Sequence, residues 1–132
     1  MDWETRVILL WGPANDAPLI SVRRALARLA APVIVLDQER VFETNIDLTV
    51  DRELYGVLKF AEREVALADI GAVYMRPRHT RRIASVEAVG RESPSWNDAL
   101  RCESTLACCT ELTPALVVNR FSTMGSNGSK PL

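Results

Sequence analysis

Metal-binding side chains are scarce in this chain: one histidine, His79, and three cysteines, Cys102, Cys108 and Cys109, crowded into one helix-like stretch. Zinc takes about four convergent ligands, so no such site can be assembled from this set, and His79 reads as a surface residue. The cysteines are odd in number and lack a Cys-x-x-Cys spacing, which argues against a disulfide framework and for a reducing cytoplasm. Excess charge is missing too. A formal net charge of −1 supplies no basic field for nucleic acid or an anionic membrane, although local basic patches stay open. No apolar run approaches ~18 residues, and the acidic start Met1-Asp2-Trp3-Glu4 has no basic n-region. Neither a membrane span nor a signal peptide is expected, and the glycosylation sequon at Asn127 is discounted with them. Lysine is rare beside arginine, two against fourteen, which is read as coding bias on which no chemistry rests.

What is present suits one globular domain. With 132 residues the chain can bury roughly two thirds of its unfolded surface, so it needs no covalent staples. Val7-Ile8-Leu9-Leu10-Trp11, closed by Gly12-Pro13, has the continuous apolar pattern of a strand buried on both faces of a parallel sheet. Leu19, Val22, Leu26 and Leu29 recur at helical spacing, capped near Asp16 and stopped before Pro32. A second buried strand, 32–37, completes a βαβ unit with an expected right-handed crossover. The expected fold is therefore α/β, a Rossmann-like open, mostly parallel sheet with flanking helices.

Thr44 to Val50 alternates polar with apolar and pairs in expectation with Gly56 to Phe60, a hairpin toward one edge. Another apolar run, Ala72 to Met75, ends at Arg76-Pro77, and the polar stretch from Arg78 to Ser95 reads as a mobile loop. Ser95 with Asp98 makes a variant capping box, followed by Trp96, Ala99, Cys102, Leu106 and Cys109 at helical spacing. Two of the cysteines thus lie on an apolar stripe as small hydrophobes. Leu116-Val117-Val118 is the final strand.

Arg76, at the carboxyl end of a strand, faces the crevice where open α/β sheets bind ligands, and its guanidinium can grip a substrate carboxylate; a structural arginine fits the position equally. The loop Gly12-Pro13-Ala14-Asn15-Asp16 lacks the Gly-x-Gly-x-x-Gly fingerprint, and Asp16 would repel phosphate, so dinucleotide binding is not expected. A role for Asn15 in holding an acceptor substrate stays open. Arg78, His79, Arg81 and Arg82 form a basic cluster for an acidic peptide or a phosphate, or simply a solvated loop. Gly125-x-x-Gly128-Ser129-Lys130 lacks P-loop spacing.

Two motifs carry a family resemblance. Val117-Val118-Asn119-Arg120 followed by Ser126-Asn127-Gly128-Ser129-Lys130-Pro131 resembles the junction that opens the nucleotide-binding domain of ATP-grasp ligases, in the glutathione synthetase-like and ribosomal-peptide-maturase branches. Phe121 stands where that family more often has proline. Ala72-Val73-Tyr74-Met75-Arg76-Pro77 is similar to a strand of the same branches, and the order of elements matches their pre-ATP-grasp domain. Glu103 falls where the related helices tend to carry a glutamate, with no role that can be derived for it.

The resemblance implies a division into a pre-ATP-grasp domain over residues 1–118 and a connector over 119–132, leading to an ATP-grasp domain of the same protein. It implies ligation of a carboxylate to an amine through an acyl phosphate, with ATP and Mg²⁺ in the intact enzyme and neither expected on this part alone. Lys130 would contact the phosphates of ATP, as a compact ammonium suits; the plainer reading is a solvated lysine near a chain end. The magnesium carboxylates and the acyl-phosphate arginine would lie in other domains, so this part should be inactive by itself. Its roles would be a cleft wall, placement of a small-molecule or peptide substrate, and a subunit interface in a homodimer. The alternative is a free-standing Rossmann-like module that binds a small ligand or a protein without catalysis.

Overall fold

The first apolar run is β1 (Val7–Gly12), and in the computed structural model, which describes residues 6–51, 54–60 and 63–119, it lies inside a four-stranded sheet. Leu9 and Trp11 turn to one face and Leu10 to the other, and all three are buried, as a strand covered on both sides requires. Helix α1 (Ala17–Arg28) follows; Asp16 caps it by accepting the Leu19 N–H at 3.1 Å, and a proline in the first turn loses no helical bond. It ends in a Schellman arrangement, with Ala31 N–H donating to the Leu26 carbonyl and Ala30 N–H to that of Ala27. Ala30 takes the left-handed conformation this demands, at φ 53°.

Strand β2 (Val33–Asp37) runs parallel to β1, Ile8 opposite Val33 and Gly12 opposite Asp37. A 3₁₀ stretch, Gln38–Glu43, leads to β3 (Thr44–Val50), β4 (Leu54–Phe60) and β5 (Arg63–Ala66), a separate antiparallel sheet. The 3₁₀ turn Leu67–Asp69 precedes β6 (Ile70–Met75), which returns to the other side of β1. Then come a 3₁₀ turn at Thr80–Arg82, α2 (Ala84–Val89), α3 (Pro94–Leu112) and β7 (Leu116–Val118), parallel to β6. The main sheet has the order β2-β1-β6-β7 and is parallel throughout.

Handedness explains the layers. The chain steps one way from β1 to β2 and the opposite way from β2 to β6 and β7, so right-handed crossovers place the connections on opposite faces. On one face Leu9, Trp11, Ile34, Leu36, Val73 and Met75 share a core with Leu58, Phe60 and Leu67 from the antiparallel sheet and its following turn, and with Leu106 and Cys109 of α3. On the other, α1 packs against β1 and β2. Close approach is built in at Gly12: a Cβ there would stand 2.9 Å from the Arg76 carbonyl oxygen, and the Arg76 N–H donates to the Trp11 carbonyl at 2.7 Å. The ends of β1 and β6 are thereby clamped together.

Four expectations need correction. The hairpin does not sit at an edge of the parallel sheet; with a third strand, β5, it forms its own sheet, whose apolar face closes the core. The stretch after Arg78 is not one loop, because Thr80, Ile83 and Val86 are buried and Ile83 and Val86 anchor α2 beneath Ala99 of α3. Ser93, not Ser95, caps α3, with its hydroxyl accepting the Ser95 N–H. Leu29 is 76% exposed, since it is the C-cap residue of α1 and lies beyond the buried stripe. Cys109 is buried and Cys102 half-buried, and burial pushes both thiols up to about 11.

Candidate functional site

The loops after β1, β2 and β6 all emerge at the carboxyl end of the parallel sheet, the end at which open α/β sheets hold ligands. Clamping at Gly12 brings Arg76 over the start of α1, where its Nε donates to Asp16 Oδ2 at 2.8 Å. Asp16 therefore serves two donors, the Leu19 N–H and the Arg76 guanidinium. The arginine hydrogen bond holds the carboxyl below its ordinary range, and the same bond raises the arginine. The Asp16 side chain is nearly covered, whereas that of Arg76 is 38% exposed. With Nε committed, the plane of the guanidinium is set and its terminal nitrogens have no other partner among the described residues.

Two further ties stiffen the floor. Asp37 Oδ1, at the end of β2, accepts the N–H of Ala14 at 3.0 Å and that of Glu39 at 3.1 Å, joining the β1 loop to the next strand. The Gln38 amide reads the backbone of Arg78 as a strand would: Nε2 donates to its carbonyl at 2.6 Å and Oε1 accepts its N–H at 2.9 Å. The partners are 23 and 40 residues apart in sequence, so no local pattern announces them. Asn15 lies exposed in the loop between Ala14 and Asp16. Arg76 and Asn15 thus both lie at the carboxyl end of the parallel sheet. Lys130 and the motif around it lie outside the described residues.

This end of the sheet can bind and orient, but it is not built for phosphate. Asp16 takes the helix N–H that an anion would need, and Asp37 adds a second carboxylate beside it. Among the described residues no group of three or more His, Cys, Asp or Glu could hold a metal ion. Arg78, His79, Arg81 and Arg82 are all exposed, on a loop held by Gln38 and by buried Thr80. On the far side of Asp37 the sequence reading missed a cleft of about 600 Å³, lined by Val35, Arg40, Glu43, Phe60 and Arg63 among others. It depends on β2 being a sheet edge, which no sequence pattern revealed. No helix of the described residues is long and apolar enough to cross a membrane.

The fold is shared with solved ligases. It is similar to macrocyclase MdnC of Microcystis aeruginosa MRC bound with precursor peptide MdnA, at a TM-score of 0.72 and 16% identity over 94% of this chain and 40% of that one. Macrocyclase MdnB of the same organism gives 0.69 and 19% over 95% and 41%. A RiPP-associated ATP-grasp ligase of Chryseobacterium gregarium, in complex with ADP and a leader and core peptide, gives 0.63 and 18% over 87% and 35%. The chain spans about two fifths of the length of the enzymes it matches, and the likeness is one of fold. No protein-family model matches it, and neither does any curated protein at a significant level.

Proposed function

We propose that this chain is the N-terminal, substrate-facing domain of an ATP-grasp ligase that joins a carboxylate to an amine. The likeness to MdnC carries the reading, because it covers 94% of this chain at a TM-score of 0.72. In the proposed division, residues 1–118 are the domain and residues 119–132 the connector to an ATP-grasp domain. ATP would supply the phosphoryl group that converts a substrate carboxylate to an acyl phosphate, which the amine then attacks with release of phosphate. This chain's own part is placement. Arg76, its plane fixed by Asp16, holds a substrate carboxylate through its terminal nitrogens, with Asn15 at the same end of the sheet. Lys130 contacts a phosphate of the nucleotide. In this reading the magnesium ligands belong to other domains of the enzyme. A peptide is the substrate class this reading favours, as solved structures of the same fold hold precursor peptides.

The test begins with the source gene beyond the codon for Leu132. A frame that continues into sequence with acidic metal ligands supports the reading; an immediate stop codon overturns it. In the intact enzyme Arg76→Lys keeps the charge near Asp16 but loses the fork. Losing a hydrogen bond to a charged group should raise KM for the carboxylate substrate by about 10- to 100-fold. KM for ATP should stay unmoved, whereas Lys130→Ala should shift it. Unchanged substrate KM in Arg76→Lys would remove Arg76 from the site.

A further inference from the structure

Strand β2 is a free edge of the parallel sheet. Alternate residues of a parallel strand turn their backbone groups toward the neighbour. The bond from the Ile8 N–H to the Pro32 carbonyl, 2.8 Å, with Ile8 opposite Val33, decides which residues these are. Pro32, Ile34 and Leu36 face β1, so Val33, Val35 and Asp37 turn N–H and C=O outward. Among the described residues no backbone hydrogen bond joins the outward groups of Val33 and Val35 to another element. Exposed edges are usually blunted by lysine, proline or a bulge. β2, Val-Ile-Val-Leu-Asp, has no lysine or proline, and its pairing with β1 runs without a break in register.

The Val35-to-Asp37 end of this edge lines the 600 Å³ cleft, and Val33 continues the same edge next to it. That volume falls in the range of ligand sites. Opposite stand Arg40 and Glu43 of the 3₁₀ stretch, and Phe60 and Arg63 where β4 ends and β5 begins. Arg40 and Glu43 neutralise each other through bonds of 2.6 and 2.9 Å, and one oxygen of Asp37 is engaged by two N–H groups. Arg63 is exposed and has no ion-pair partner among the described residues, so beside the Arg40–Glu43 pair the cleft carries one unpaired cation, Arg63, and one carboxylate, Asp37, which is held by backbone N–H groups. A row of unpaired main-chain groups beside one free cation suits an extended chain rather than a compact ligand. We infer that the cleft takes an extended segment of a peptide substrate, added as a strand to β2 through Val33 and Val35, with an acidic side chain held by Arg63. The choice of substrate peptide over another partner rests on the ligase reading and on Asp37, which lines the cleft and also holds Ala14 beside the Arg76 rim.

The experiment uses the 132-residue chain without nucleotide. Its probes are a fluorescein-labelled peptide of alternating Val and Thr with one central Glu, and a twin carrying Lys in place of Glu. Saturating Glu peptide is expected to slow amide exchange at Val33 and Val35. Val35→Pro removes one outward donor while leaving the ladder to β1 in place, as proline can on an edge. It should weaken binding at least about 3-fold, the lower part of what one backbone hydrogen bond supplies. Arg63→Glu, on the surface, should reverse the preference from the Glu to the Lys peptide, and that swap decides alone if Val35→Pro does not fold. Unchanged exchange with either peptide, or no reversal in Arg63→Glu, overturns the inference. So does edge protection that rises with protein concentration and not with peptide, which would mean a second copy on β2. Because no ATP is present, failure here leaves the ligase reading standing, and a stop codon after Leu132 would leave this measurement meaningful.

Discussion

Asp16 makes two bonds that substitution can separate. Asparagine keeps an oxygen for the Leu19 N–H but loses the charge that meets Arg76; alanine loses both. Since Arg76 is partly open to water, Asp16→Asn should cost no more than about 1 kcal/mol in urea unfolding at neutral pH. Asp16→Ala should cost about 1 kcal/mol beyond that for the lost cap. Asp16 is held below its unfolded pKa, so its contribution is present above about pH 4 and is lost as pH falls through the lower folded value. The acid limb of the stability curve should therefore flatten in Asp16→Asn, and an identical limb would show that the pair is not coupled to folding. Asp16 as a helix cap was readable from its place before an apolar period. Its partner was not, because Arg76 lies 60 residues away and only the clamp at Gly12 brings it there.

At the scale of elements, α1 shows how a helix can be stopped by geometry that its residues do not favour. Ala30 occupies the left-handed position of the Schellman ending at φ 53°, where a Cβ is strained and glycine is not. Ala30→Gly should stabilise the chain by about 1 kcal/mol, read as a higher urea midpoint at unchanged slope. No gain would mean that the more flexible unfolded glycine offsets the relieved strain. The helix itself was legible from Leu19, Val22 and Leu26; its ending was legible only as a stop before Pro32. β5 was not legible at all, because Arg63–Ala66 is too short to show a period and acquires its pairing from β4. Thr80, Ile83 and Val86 were hidden among arginines, since three buried positions in seven resemble a polar loop until α3 covers them.

For the whole molecule the telling asymmetry lies between the two faces of the parallel sheet. One is covered by the antiparallel sheet and α3; on the other, α1 packs on β1 and β2. Leu116 and Val118 of β7, opposite Ala72 and Tyr74 of β6, are 65% and 42% exposed. A contiguous apolar strip of this kind favours association. Leu116→Lys should leave stability within about 0.5 kcal/mol, as surface changes do. It should also reduce concentration-dependent association in sedimentation velocity. Sedimentation independent of concentration in the unsubstituted chain would show that the strip does not drive self-association.

By itself the sequence determined the strands and helices whose apolar periods are long, the βαβ start, the Asp16 cap, and Arg76 as a residue at a strand end. These depend on local backbone preference and on the spacing of buried side chains, both of which are written along the chain. The tertiary structure alone decided that β3 to β5 form a second sheet, that Asp16 meets Arg76, that Gln38 holds Arg78, and that β2 is an edge whose end lines a cleft. Each of these joins residues distant in sequence through strand order and crossover handedness, and nothing in a local pattern encodes which strand will stand beside which.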